Sequence, residues 1–289
     1  MVDQLGDGPR GEVMHEPVLT ADDRTAWNIW RSTALIHART RLHALRVERA
    51  RSLITEALTA APRWCCMVSG GKDSSVMAAL VADGAPGTQC ASEKDDMDYP
   101  GEEPYVTDLC ARFGLPLTIL RPPVSPREVI AREASKVGVL GDWHGRSADL
   151  SRKCFYEVVE AHGENYDGIF LGLRSDESRA RAINRATHGA LYHKIPSKRH
   201  PTGQWVCCPL SDWRGIDVYA YCFMHDIPLL PVYQCIGLMH RAEPWRIRKS
   251  WWLPNGTSAR YGDVAWLRRY YPSLYRQLCE WMPDAQSLT

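Results

Sequence analysis

A short apolar run, Trp64-Cys65-Cys66-Met67-Val68, ends directly in Ser69-Gly70-Gly71-Lys72-Asp73-Ser74, and the helical pattern Ser75-Val76-Met77-Ala78-Ala79-Leu80-Val81 follows at once. The order is buried strand, tight loop, helix. Two adjacent glycines let the backbone take positive φ and approach a ligand without Cβ interference, so successive N–H groups can converge on one anion. The helix that begins near Ser74 adds the partial positive charge of its N-terminus. Lys72 can supply a full charge to an anionic oxygen, and Asp73 or Ser74 can cap the helix or help to hold magnesium. These features select a polyanion, whereas an ordinary glycine turn would not require Lys, Asp and Ser in that order. The lysine follows the second glycine directly, so the loop is not the GxxxxGK[ST] pattern, and chemistry on a γ-phosphate is disfavoured.

Further strands are expected at Thr88 to Ser92, Leu115 to Leu120, Ile169 to Leu173 and Gln204 to Cys208. Helices are expected at Glu102 to Phe113, Pro126 to Lys136, Asp149 to His162 and about Gly215 to His225. This alternation predicts an α/β fold, a doubly wound, mostly parallel sheet covered on both faces, with ligands at the carboxyl ends of the strands. Residues 1–20 read as a loose arm and 21–60 as amphipathic helix. Residues 61–237 form the nucleotide-binding α/β domain and 238–289 a helical cap. The arginines of the N-terminal helices suit a solvated face or a nucleic-acid contact.

A chain of 289 residues, 45% of them hydrophobic, can bury a sizeable core. Its 35 Lys and Arg nearly balance 34 Asp and Glu, so nucleic acid is not indicated as an obligatory partner, although local basic patches are compatible with one. No leader-like N-terminus and no run of ~18 apolar residues is present, which makes a cytoplasmic protein without a membrane partner the expectation. The ten cysteines are then expected to be reduced thiols.

Three later segments complete a pattern: Gly172-Leu173-Arg174-Ser175-Asp176-Glu177-Ser178-Arg179; Pro209-Leu210-Ser211-Asp212-Trp213 with Asp217-Val218-Tyr219-Ala220-Tyr221; and Ile227-Pro228 through Pro231-Val232-Tyr233. With the Ser69 loop they resemble, in order, the motifs of the ATP pyrophosphatase (PP-loop) superfamily. The chain is similar to the branch that holds phosphoadenosine phosphosulfate reductases, the small subunit of bacterial ATP sulfurylase and the sulfur-activating proteins of DNA phosphorothioation. The resemblance covers roughly residues 60–237. It implies an adenine nucleotide alpha hydrolase-like fold, ATP or a sulfonucleotide with Mg²⁺, and cleavage between the α- and β-phosphates with pyrophosphate held by residues 69–74. A substrate would be adenylated, in sulfur metabolism or sulfur incorporation. A cysteine desulfurase or thioredoxin would be a partner, and a homodimer is compatible.

Arg174 and Arg179 offer planar, permanently charged forks for phosphate or sulfate oxygens, with Asp176 and Glu177 to orient them or bind metal. The same cluster would also suit a helix N-terminus laced with ion pairs. Asp95, Asp96 and Asp98 follow the second strand, where the family recognises nucleotide or substrate, or they form a solvated acidic loop. Cys154 follows Arg152-Lys153. Adjacent positive charge favours its thiolate for a sulfur-carrying role, against an inert helix cysteine.

The reductases' C-terminal Glu-Cys-Gly motif is missing, the last cysteine being Cys279. No Cys-x-x-Cys occurs, so an iron–sulfur cluster, which would need Cys154, Cys207, Cys208, Cys222 or Cys235, is not expected. Cys65 and Cys66 read as core. His188, His193 and His200 give no metal spacing, and Arg179 to His200 reads as irregular, either a lid over phosphates or a solvated loop. Trp251-Trp252 and Arg268-Arg269-Tyr270-Tyr271 could stack bases or pack a cap. Alternatives to an adenylating enzyme are a sulfonucleotide reductase, a sulfate adenylyltransferase small subunit, or a silent nucleotide-binding module of a nucleic-acid-modifying complex.

Overall fold

The computed structural model describes residues 16–96, 98–125, 128, 157–198, 201–236, 263–281 and 283–288. Helices α1 (Ala21–Ala38) and α2 (Arg41–Ala60) lead into β1 (Trp64–Met67), α3 (Lys72–Gly84), β2 (Gln89–Glu93), α4 (Glu102–Arg112) and β3 (Leu117–Leu120). Next come α5 (Glu157–Gly163), β4 (Gly168–Leu171), α6 (Arg179–His188), β5 (Leu191–Lys194), β6 (Gln204–Cys207) and α7 (Gly215–Met224). Helices α8 (Asp263–Tyr270) and α9 (Pro272–Trp281) form the C-terminal cap.

The sheet order is β3-β2-β1-β4-β6-β5, parallel throughout except for the antiparallel edge strand β5. The chain runs outward from β1 to β3 and then returns to place β4 on the other side of β1. In such a sheet the crevice outside the carboxyl ends of β1 and β4 is where ligands bind.

Because strand side chains alternate between faces, neighbouring cysteines serve different layers. Cys66, Phe170 and Cys207 join the core made with α2, α3, α4 and α7, while Cys65, Ala91 and Leu120 pack under Val158 and Val159 of α5. Helices therefore cover both faces, the doubly wound α/β arrangement expected from the alternation. Fully burying Phe170, 4.6 Å from the Trp64 ring, contributes about 2 kcal/mol. A second core gathers Ala34 and Ala38 of α1, Tyr219, Tyr233 and the cap residues Trp266, Leu267, Tyr270 and Tyr271. Tyr270 and Tyr271 thus pack the cap and are not presented for base stacking.

Two expectations are corrected. The segment after Arg179 is ordered: Ser178 caps α6 by accepting the Arg181 N–H, Gly189 ends it at φ +85°, and β5 then pairs with β6. No residue of α6 is buried, and its short apolar face, Ala182, Ile183 and Ala186, is flanked by Arg179, Arg181 and Arg185. Val18 and Thr20, expected within the loose arm, are held in place. The Val18 N–H donates to the Tyr270 carbonyl, and Thr20 and Asp23 form a capping box at the start of α1. Apart from Glu128, the helix expected at 126–136 lies outside the described residues, as do the start of that expected at Asp149, Cys154, His200 and Trp251-Trp252.

Candidate active site

The loop after β1 is shaped by its own serines. The Ser74 hydroxyl accepts the Ser69 N–H at 3.1 Å and donates to the Gly71 carbonyl at 2.9 Å, which Ser75 Oγ also reaches at 2.9 Å. Gly70 sits at φ +84°, in the left-handed region, with the Glu102 side chain against its Cα. Gly71 caps α3 without a side-chain bond, so no side chain of the cap masks the helix terminus. The loop is half-buried, and Ser69, Gly71 and Asp73 keep some exposure.

Lys72 turns inward. Its ammonium pairs with the Asp73 carboxylate and stands 5.8 and 5.9 Å from the centres of the Tyr219 and Tyr233 rings, while its amide donates to Tyr233 Oη at 3.0 Å. Burial pulls the Lys72 pKa down, partly offset by Asp73. For Asp73, burial raises the carboxyl, but Lys72 and Arg174 together bring it below its ordinary value.

Arg174, just past β4, is fully buried. Its Nε lies 2.5 Å from Asp73 Oδ1 and its Nη1 2.8 Å from Asp176 Oδ1. Nε and Asp73 Oδ1 are thus each other's ion-pair partners, whereas Arg174 Nη2 is buried with no hydrogen-bond partner among the described residues. Buried donors left unmade cost about 1–3 kcal/mol each, so this fork is suited to oxygens of a bound anion. Asp73, paired with Arg174 and Lys72 as it stands, is the carboxylate nearest the loop for a hard cation such as magnesium once an anion draws those cations away.

Close approach of β1 and β4 makes this possible. A Cβ on Gly172 would lie 2.8 Å from the Ser74 amide nitrogen, so only glycine lets β4 end against the start of α3.

The later motifs brace the site. Asp176 Oδ2 accepts the Gly215 N–H at 3.2 Å, joining it to α7. Glu177 accepts the Arg174 N–H at 3.0 Å and pairs with Arg181. Ser175 Oγ donates to the Ser211 carbonyl at 2.7 Å, and Arg185 forks onto Asp212 at 3.0 and 3.1 Å. Both readings of the 174–179 cluster thus have a counterpart: ion pairs lace it, and one guanidinium faces the loop. Arg179 instead sits exposed on the first turn of α6.

Asp98 lies 3.7 Å from Lys94 Nζ, which donates to the Ser69 carbonyl at 3.4 Å and pairs with Glu102 at 2.5 Å. Asp96 is exposed and accepts from Ser125. Lys94, Glu102 and Tyr233's contact with the loop escaped the sequence reading. An isolated lysine in a charged turn and a tyrosine 161 residues downstream carry no local signal.

Among the described residues eight cysteines are buried, and Cys279 is partly exposed. Burial pushes Cys65 up to about 12 and Cys208 up to about 11, and raises Cys207, Cys222 and Cys235 further. Such thiols stay protonated and unreactive.

Residues 63–241 match the family model described as phosphoadenosine phosphosulfate reductase domain. Curated relatives include sulfate adenylyltransferase subunit 2 of Rhodopseudomonas palustris (strain BisA53), 26% identical over 35% of this chain and 34% of that protein. The protein of the same name from Halorhodospira halophila (strain DSM 244 / SL1) is 24% identical over 58% of each chain. The matched segments span between 27% and 58% of such relatives' own length. Among solved structures, phosphoadenylyl-sulfate reductase from Candida auris is similar at 15% identity and a TM-score of 0.45, covering 67% of this chain and 86% of that one. With the family model spanning more than half of its length, this chain belongs to the phosphoadenosine phosphosulfate reductase domain family of PP-loop proteins.

Proposed function

We propose that the chain is an ATP pyrophosphatase-type enzyme that adenylates a substrate in sulfur metabolism. The observation that carries this reading is the meeting of Lys72, Asp73 and Arg174 at the crevice between β1 and β4, with Arg174 Nη2 buried and without a hydrogen-bond partner.

The cluster Lys72, Arg174, Asp73 and Asp176 is close to neutral as it stands. A polyphosphate would take the place of Asp73 as partner of both cations, and Asp73 and Asp176 would hold them in place until it arrives. Magnesium on Asp73, when bound, would supply further charge neutralisation of the phosphates. A substrate oxygen attacks the α-phosphorus while the bond from that phosphorus to the bridging oxygen breaks. Pyrophosphate leaves with the electron pair, held by Lys72 and the amides of residues 69–74. Positioning and preorganised charge would supply most of the rate. Arg179, exposed at the mouth of α6, could bind the distal end of the nucleotide, and Glu177 keeps Arg174 in register. Asp98, linked through Lys94 to the loop, would serve the nucleoside side.

Incubation with α-labelled ATP and magnesium should yield pyrophosphate and the labelled adenylated acceptor when the acceptor is supplied; ADP as product would refute the reading. The relatives' name favours sulfate as acceptor and a second subunit as partner, so sulfate-dependent pyrophosphate release, alone and with such a subunit, is the first assay. A reductase would instead make sulfite from a sulfonucleotide with thioredoxin.

A further inference from the structure

Far from the loop in sequence, three elements converge on one carboxylate. His37 Nε2, from the last turn of α1, lies 2.7 Å from Asp217 Oδ1, and His43 Nδ1, from the first turn of α2, lies 3.4 Å from the same oxygen. All three donor atoms are within 4.8 Å of one another. The other oxygen, Oδ2, is taken by Arg46 Nη1 at 2.6 Å and the Arg214 N–H at 2.7 Å. The His43 ring is held edge-on by Trp213 at 5.7 Å, and Trp213 donates to the Arg46 carbonyl at 3.2 Å.

We infer that His37 Nε2, His43 Nδ1 and Asp217 Oδ1 form a binding site for one divalent cation of the zinc class, clipping α1 and α2 to the start of α7. Two imidazoles and a carboxylate are a donor set that zinc accepts with a fourth position for water. The bonds to Oδ2 are of the outer kind that orient a ligating carboxylate and leave Oδ1 to the metal. Around a tetrahedral ion with bonds of roughly 2.05 Å, donor atoms stand about 3.3 Å apart, so the His43 spacing already fits and His37 must withdraw by about 0.6 Å. His37, with its side chain 17% exposed at a helix end, is the ligand free to do so. Without metal, the same ring nitrogens can donate to Oδ1, so the helices stay docked in either state. The Arg46 guanidinium repels a dication, which places the affinity below that of zinc sites built on thiolates. The site is independent of the nucleotide reading, and neither stands or falls with the other.

The full chain, stripped with a chelator, should be titrated with Zn²⁺ against a chromophoric competitor and with Co²⁺ by visible spectroscopy. One equivalent is expected, with a d–d band of a nitrogen and oxygen site and a higher Tm in the presence of metal. His37→Ala should weaken binding at least tenfold while its metal-free melting stays cooperative; His43→Gln serves as the second variant should His37→Ala fail to fold. Absence of saturable binding, binding unchanged in the folded variant, or a thiolate charge-transfer band placing Co²⁺ on cysteine would overturn the inference.

Discussion

Arg174 Nε stands 2.5 Å from Asp73 Oδ1, across the gap between the ends of β4 and β1. This pairing joins two sequence motifs about a hundred residues apart at one point, and most consequences for binding follow from it. Replacing Arg174 by Met leaves Asp73 with one cation and Asp176 with none. Breaking a buried pair in this way costs about 3 kcal/mol or more. Urea denaturation should show that loss for Arg174→Met. Arg174→Lys should recover part of the stability but not nucleotide affinity, because an ammonium lacks the planar fork.

Lys72→Ala removes the ammonium from the loop but leaves its amides. A charge-assisted bond is worth about 1.5–3 kcal/mol, so ATP affinity should fall roughly tenfold to a hundredfold. Adenosine affinity should hardly change. Calorimetric titration with both ligands checks this, and equal losses for the two would take Lys72 away from the phosphates.

Gly172→Ala forces a methyl to 2.8 Å from the Ser74 nitrogen. The backbone on both sides must part, at a cost of about 1–3 kcal/mol. Thermal melts should show a lowered Tm, and nucleotide binding should weaken more than stability alone explains, since the opened crevice misplaces Arg174.

Acid stability should depend on Asp217. Burial alone would raise its carboxyl, but hydrogen bonds from His43, His37, the Arg214 amide and Arg46 hold it well below the usual range. A folded pKa below the unfolded value of about 3.9 gives stabilisation that is complete above that value and fades as pH falls further. Urea midpoints should therefore drop below about pH 4, and Asp217→Asn should flatten that slope while lowering stability at neutral pH.

Much of this was legible in the chain. The run Trp64 to Val68 stopped by two glycines announced β1, the loop and α3, because a buried strand and a glycine turn both leave local marks. Arg174 was legible through its motif. Helix α6 was not, because its ten residues bury none of their side chains and its short apolar face is broken up by arginines. Nor was the Asp217 cluster, whose partners His37 and Arg46 lie 180 and 171 residues away and meet it only through tertiary packing. Arg179, from the motif of Arg174, lies instead on the exposed first turn of α6, away from that residue and the loop.

Tyr270 binds the beginning of the described chain twice, through its carbonyl to the Val18 N–H and through its hydroxyl to Asp23 at 2.7 Å. Early and late segments consequently form one clasp. Trimming the chain before α8 would therefore strip a buttress from α1 as well as remove the cap, and protease cuts near either end should appear together.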